Sequence, residues 1–255
     1  MSLRLERHGE AAHLLIDRPA KRNAFTLAMW QKLPLLLDQA MADDGVKAVI
    51  LRSAVPGIFC AGADIQESAA HVQDGAWRAA NHAAIAQAQH RVARAEKPVI
   101  AAIDGDCVGG GCGLAIACDL RISSSGSRFG ITPARLGIVY SLHDSKLLVD
   151  LVGPAQAKYI LFTAALLPAD EAHRIGLVDR MEEDVLTAAM QLASDMAERS
   201  QHSIKSAKAI IRRILDGQAD DDAQTHAMFA DSFIGPDYPE GVAAFLQKRK
   251  ANFSS

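Results

Sequence analysis

The sequence predicts an α/β protein. Short apolar strands alternate with helices up to about residue 150, and almost everything after that point reads as helix. Hydrophobic side chains make up 49% of the 255 residues and charged ones 22%, which suits a globular chain with a sizeable core. No short-period repeat or low-complexity tract interrupts the alternation.

The elements follow in order. Residues 3–7 alternate apolar and charged side chains, His8-Gly9-Glu10 turns the chain, and residues 12–16 run back, so a strand pair is expected. Thr26 is a candidate N-cap for a helix carrying Met29, Leu33, Leu36, Leu37 and Ala40 at helical spacing. Pro34 within that helix should bend or split it. Residues 48–51 (Ala-Val-Ile-Leu) and 98–103 have the character of strands buried on both faces of a parallel sheet. An alanine-rich helix is expected between them at 74–95. Further helices are expected at 155–165, 170–175, 183–198, 203–215, 219–229 and 239–250. Breaks fall at Leu215-Asp216-Gly217 and Gly235-Pro236-Asp237. The chain thus divides into an α/β core at 1–195 and a helical region at 196–255.

Composition excludes several functions. A net charge of −3 and a pI near 6.3 leave no broad cationic face, so nucleic acid is not an expected partner. Cys60, Cys107, Cys112 and Cys118 lack Cys-x-x-Cys spacing and are expected as buried, reduced thiols. The nine histidines form no His-x-x-x-His or His-Glu-x-x-His group, so no metal site is expected. There is no signal-peptide pattern at the amino terminus and no apolar run of about 18 residues. The expected location is the cytoplasm, with no membrane span.

Two glycine-bearing loops carry the chemistry. The first, Gly57-Ile58-Phe59-Cys60-Ala61-Gly62-Ala63-Asp64-Ile65, follows the strand that ends near Leu51; Asp64 could cap the turn after it. The second, Val108-Gly109-Gly110-Gly111-Cys112-Gly113, leaves one apolar stretch and opens an apolar helix. Consecutive glycines at a helix start uncover backbone N–H groups at its positive end, which suits an anion or a developing oxyanion. A packing turn between strand and helix is the competing reading. Neither Gly-x-Gly-x-x-Gly nor a P-loop is present, since Ile116 stands where the former needs its last glycine and no Lys-Ser/Thr follows Gly110. Gly-x-Ser-x-Gly is absent as well, which removes a serine-protease reading.

Taken together and in this order, these segments resemble the crotonase family (enoyl-CoA hydratase/isomerase) along nearly the whole chain. Asp17-Arg18-Pro19-Ala20-Lys21-Arg22-Asn23-Ala24 is similar to its early CoA-binding segment. Phe59-Cys60-Ala61-Gly62-Ala63-Asp64-Ile65 and Gly109-Gly110-Gly111-Cys112 look like its two oxyanion loops. Cys118-Asp119-Leu120-Arg121, the stretch from Ala172 to Val178, and the stretch from Glu240 to Lys250 resemble later family signatures. The resemblance implies a spiral of ββα units followed by a helical trimerisation region. It also implies an acyl-CoA substrate whose thioester oxygen is held by the amides of Ala63 and Gly110. Coenzyme A enters as part of the substrate, with no separate cofactor. Lys21, Arg22, Ala61, Asp64 and Ile65 would border the pantetheine and adenine, with Gln66 where many members carry lysine. A homotrimer or dimer of trimers is implied, with Phe245 and Lys248 of the terminal helix touching a neighbour's CoA; a solvated basic helix end is the other reading of Lys248.

One departure stands out. Hydratases of the family position water with two glutamates, and here Gly113 and Pro133 occupy those places in Gly-Gly-Gly-Cys-Gly and Phe129-Gly130-Ile131-Thr132-Pro133-Ala134. Neither residue exchanges a proton, so ordinary hydration lacks its acid and base. Replacement candidates lie downstream: Tyr140, Ser141, His143 and Asp144, with Thr132 and Pro133 lining the acyl pocket. Asp144 is also a candidate helix N-cap, and His143 a solvent-facing side chain. Thr132-Pro133-x-x-Leu136-Gly137-x-x-Tyr140 looks like the matching stretch of methylmalonyl-CoA decarboxylases, whose reaction forms the enolate without a base. Three expectations therefore stand: hydration or isomerisation with a displaced acid, decarboxylation of a malonyl-type thioester, or a catalytically silent CoA-binding scaffold.

Overall fold

The computed structural model describes residues 2–253. The amino-terminal strands are β1 (Leu3–His8) and β2 (Ala11–Ile16), paired antiparallel as their alternation predicts. Helix α1 (Leu27–Ala42) starts at Thr26, whose side chain accepts from the Met29 amide. It remains one helix through Pro34, which is buried in its apolar face, so the expected split does not occur.

From there the chain repeats one unit: a strand in a large sheet, a strand piece in a small sheet, then helix. First come β3 (Ala48–Ser53), a bridge at Cys60, and helices α2 (Ile65–Ala70) and α3 (Gly75–Ala93). The next turn is β4 (Val99–Ile103), β5 (Cys107–Val108) and α4 (Gly110–Ala117). The third is β6 (Leu120–Ser123), β7 (Arg128–Gly130) and α5 (Leu142–Thr163). Then β8 (Leu167–Pro168) joins the small sheet, α6 (Ala169–Arg174) follows, and β9 (Arg180–Met181) closes the large one. The large sheet runs β1-β2-β3-β4-β6-β9, parallel from β2 onward, and the small one β5-β7-β8. This is a spiral of ββα units. Strands β3 and β4 are buried on both faces because α1, α3 and α4 cover one side and α7 (Val185–Ala197) the other.

Helices α8 (Gln201–Leu215), α9 (Ala223–Ile234) and α10 (Asp237–Leu246) follow, each touching the next. The expected boundary at residue 195 falls inside α7, which still packs on the sheet. Helix α5 begins earlier than residue 155. Gly153, with φ of 73°, interrupts it ahead of Pro154, so two helices abut. The first, with Leu147, Leu148, Leu151 and Val152 at helical spacing, is not among the expected helices. Among the described residues no helix is long and apolar enough to cross a membrane.

Candidate active site

The two glycine loops come together because the small sheet ties them. Cys60 and Cys107 form a parallel bridge, with the Cys60 amide donating to Asp106 O and the Val108 amide to Cys60 O, both at 2.9 Å. On the other side of the first loop, the Phe25 amide donates to Gly62 O and the Asp64 amide to Phe25 O, both at 2.8 Å. In that pairing the N–H of Ala63 faces away from Phe25. Gly110 opens α4, where the first amides have no intrahelical acceptor. Neither the Ala63 nor the Gly110 amide donates to another described residue.

Their proximity can be bounded. A Cβ on Gly62 would lie 3.0 Å from the Gly110 nitrogen. A Cβ on Gly110 would lie 3.6 Å from the Ala63 nitrogen. Since a Cβ sits about 2.5 Å from its own nitrogen, the two amide nitrogens are at most about 6 Å apart. Gly62 also has φ of +96°, so a side chain is excluded there by both conformation and space. Gly110 is pressed against the buried Trp30, whose ring atoms would be 3.0 and 3.1 Å from an added Cβ. Two neighbouring donors at a helix N-terminus are suited to stabilise developing negative charge.

One turn along α4 lies Gly113. The Tyr140 hydroxyl sits 3.3 Å from where a Gly113 Cβ would be, buried and with no hydrogen-bond partner among the described residues. Burial, reinforced by Asp144 and the thiols of Cys112 and Cys107, pushes this phenol well above its ordinary value, so it is a neutral hydroxyl at physiological pH. Asp144 is buried beside it. It is not the N-cap of α5: Ser141 is, its side chain accepting from the Asp144 amide at 3.0 Å, which puts Asp144 in the first turn facing inward. Its carboxylate meets His143 Nδ1 at 3.1 Å and, from α3, the Gln89 carboxamide, which in the orientation that satisfies both groups places its nitrogen 2.7 Å from both oxygens. His143 in turn reaches Arg94 at 3.4 Å and His90, with ring centroids 5.5 Å apart. It therefore stands on the outer side of Asp144, away from the glycine loops.

The expected CoA-side residues cluster around the first loop. Lys21 Nζ donates to Gln66 Oε1 at 2.7 Å, and Arg22 pairs with Asp106. Ala61 donates its amide to Arg22 O at 3.0 Å, and Ile65, half exposed, begins α2. Asp64 is already engaged: it caps α2 through the amides of Gln66 and Glu67 and pairs with Arg18 at 2.7 Å. Burial pushes the pKa of that carboxyl up, but the Arg18 pairing and the two amides win and hold it below the usual carboxylate range. Its side chain is thus a cap for the loop, with no free oxygen facing a ligand. Thr132 and Pro133 form the start of a 3-10 turn whose Pro133 O accepts from the amides of Leu136 and Ile138. Phe245, 82% exposed, lies in the last turn of α10 and Lys248 just beyond its end.

Three supporting residues are not singled out by the sequence, although Arg18 and Asn23 lie in the segment similar to the family's CoA-binding one. Asn23 is fully buried and clamps the first loop, donating to Ser53 Oγ and to the carbonyls of Ile58 and Phe59. Arg18 links Ala24 O to Asp64. Gln89 is 1% exposed, yet reads as an ordinary polar position on an alanine-rich helix. The four cysteines are free and buried, and burial pushes the Cys60 and Cys118 thiols to about 12, so neither is a nucleophile.

Comparison with known proteins gives the family. A family model described as enoyl-CoA hydratase/isomerase matches residues 6–255. The crotonyl-CoA hydratase of Syntrophomonas wolfei is 36% identical over 98% of this chain and 97% of its own length. The short-chain-enoyl-CoA hydratase of Clostridium acetobutylicum is 34% identical over 96% and 95%. The crystal structure of an enoyl-CoA hydratase/carnithine racemase from Magnetospirillum magneticum superposes with a TM-score of 0.93 at 32% identity, covering 100% of this chain and 96% of that one. With its spiral of ββα units and its two glycine loops held side by side, the chain belongs to the enoyl-CoA hydratase/isomerase family and has the crotonase fold.

Proposed function

We propose that this protein transforms acyl-CoA thioesters through an enolate whose oxygen is held by the amides of Ala63 and Gly110. The observation that carries this reading is the pair of adjacent backbone donors, neither of which has an acceptor among the described residues. A donor of this kind is worth about 2.7–4 kcal/mol in a transition state. Hydration of a short 2-enoyl thioester, or isomerisation with a displaced acid, is the favoured reaction. In the hydration, Asp144 takes a proton from water as the water oxygen bonds the β-carbon and an electron pair moves onto the thioester oxygen. When the enolate collapses, the same carboxyl returns the proton to the α-carbon. The Tyr140 hydroxyl orients the water, which gives its unpartnered oxygen a role.

Asp144 also supports hydration or isomerisation over decarboxylation, because a malonyl-type carboxylate entering here would meet a buried carboxyl of like sign. Assembly as a homotrimer or dimer of trimers is part of the same reading. It is supported by apolar side chains left exposed on the carboxy-terminal helices, among them Phe229, Ile234, Phe245 and Leu246. The test is a paired assay of crotonyl-CoA absorbance loss and carbon dioxide release from methylmalonyl-CoA. Turnover of the first supports the reading. Turnover of the second alone replaces it with decarboxylation, and turnover of neither, with CoA still bound, with a silent scaffold.

A further inference from the structure

The volume over Gly113, where the family's glutamate side chain would begin, is filled from a different helix. The buried Gln89 carboxamide turns its nitrogen to both Asp144 oxygens at 2.7 Å. Only this orientation makes those bonds. Its other terminal atom, the carbonyl oxygen, then lies 2.1 Å from the position a Gly113 Cβ would occupy. Any side chain at 113 would therefore collide with Gln89. The conformation of Gly113 does not demand glycine: it sits inside α4 with a helical amide bond from its N–H to Gly109 O at 3.0 Å. Space, and not backbone geometry, opposes a side chain: to make room the Gln89 carboxamide would have to move off the Asp144 carboxylate.

We propose that Gln89 is the positioning residue of this site and that Gly113 is glycine to admit it. From α3 the carboxamide donates to the Asp144 carboxylate and fixes its direction, while His143 bonds it from the outer side. The Gln89 carbonyl oxygen and the Tyr140 hydroxyl are thereby presented together over Gly113, as one acceptor and one neutral hydroxyl. The protein has exchanged a carboxylate carried on α4 for a neutral amide carried on α3, with the charge moved back to Asp144. Such a surface suits a neutral polar partner, a water or a substrate hydroxyl, better than an anionic one. The catalytic half of this inference rests on the reading of Asp144 given above; the steric half does not.

Two double-variant cycles test it. For the steric half, Gly113→Ala is made in the wild type and in Gln89→Ala, and thermal unfolding is followed. In the wild type the methyl should lower the melting temperature by about 3 °C or more. In the Gln89→Ala background it should leave it unchanged or raise it, since alanine is the better helix former. Equal falls in both backgrounds overturn the inference. For the positioning half, crotonyl-CoA hydration is measured for the near-isosteric Gln89→Met, for Asp144→Asn and for the pair. Each single change should lower kcat about tenfold or more with KM changed less than twofold, and the pair should be no slower than the slower single variant. Multiplying losses, or a loss confined to KM, overturn the positioning role. If the wild type turns over no acyl-CoA, the functional reading and the positioning role both fail, and the melting cycle still decides whether Gln89 is what excludes a side chain at position 113.

Discussion

Gly62→Ala is the substitution that most directly separates the two amides. The new methyl would lie 2.9 Å from Val108 O and 3.0 Å from Gly110 N, and both contacts are backbone atoms that cannot rotate aside. A non-glycine residue at φ of +96° adds conformational strain. Strain of about 1–2 kcal/mol and overpacking of about 1–3 kcal/mol together remain below a typical total stability of about 5–15 kcal/mol, so the variant should still fold. The relief available is to push the Ala63 segment away from Gly110, which removes one donor from a shared oxygen. Loss of one donor lowers kcat about 10²–10³-fold. Gly217→Ala is the control: its φ of +99° imposes similar strain, but nothing lies within 4 Å of the added methyl. Both variants should lose stability in urea unfolding, Gly62→Ala the more. Only Gly62→Ala should lose hydration of crotonyl-CoA. Wild-type turnover by a folded Gly62→Ala protein would refute the reasoning.

Three further outcomes are expected. Tyr140→Phe should lower kcat about tenfold or more, and because it removes a buried hydroxyl without a partner, its unfolding free energy should stay the same or rise; a fall of more than about 1 kcal/mol would mean the hydroxyl is bonded in the folded protein. Arg18→Ala strips the Asp64 cap of its cation and should cost about 2 kcal/mol and raise KM more than it lowers kcat; an unchanged KM would detach this pair from the CoA side. His13 is buried against Arg52 and Met190, and burial, followed by the Arg52 charge, lowers its pKa to about 4. The unfolded chain then binds the extra proton first. Stability should be fully present above about pH 6.5 and fall by up to about 3 kcal/mol as pH drops towards 4, with His13→Gln flattening the slope. An identical slope in that variant would contradict the assignment.

The parts of the fold set by local chemistry were legible in the sequence. Thr26 caps α1 as its position before an apolar-periodic stretch predicts, and residues 48–51 and 98–103 fall in buried parallel strands. The two glycine loops were legible as donors, but their convergence depends on the Cys60–Cys107 bridge, and no spacing encodes a bridge between distant segments. Pro34 does not split α1 because the apolar burial of the helix outweighs the one backbone bond it removes. Asp144 was misread as a cap because Ser141, an equally good cap, stands one turn earlier. Gln89 left no trace at all. A glutamine among alanines looks solvated until Asp144, from another helix, gives it a partner.

The most direct measurement is a crystal structure with a slowly reacting acyl-CoA soaked into the site. The thioester carbonyl oxygen should accept from the Ala63 and Gly110 amides at about 2.7–3.1 Å each, with the reacting carbons facing Tyr140 and Asp144. A thioester bound elsewhere, or with its oxygen bonded to neither amide, would contradict the account at its centre.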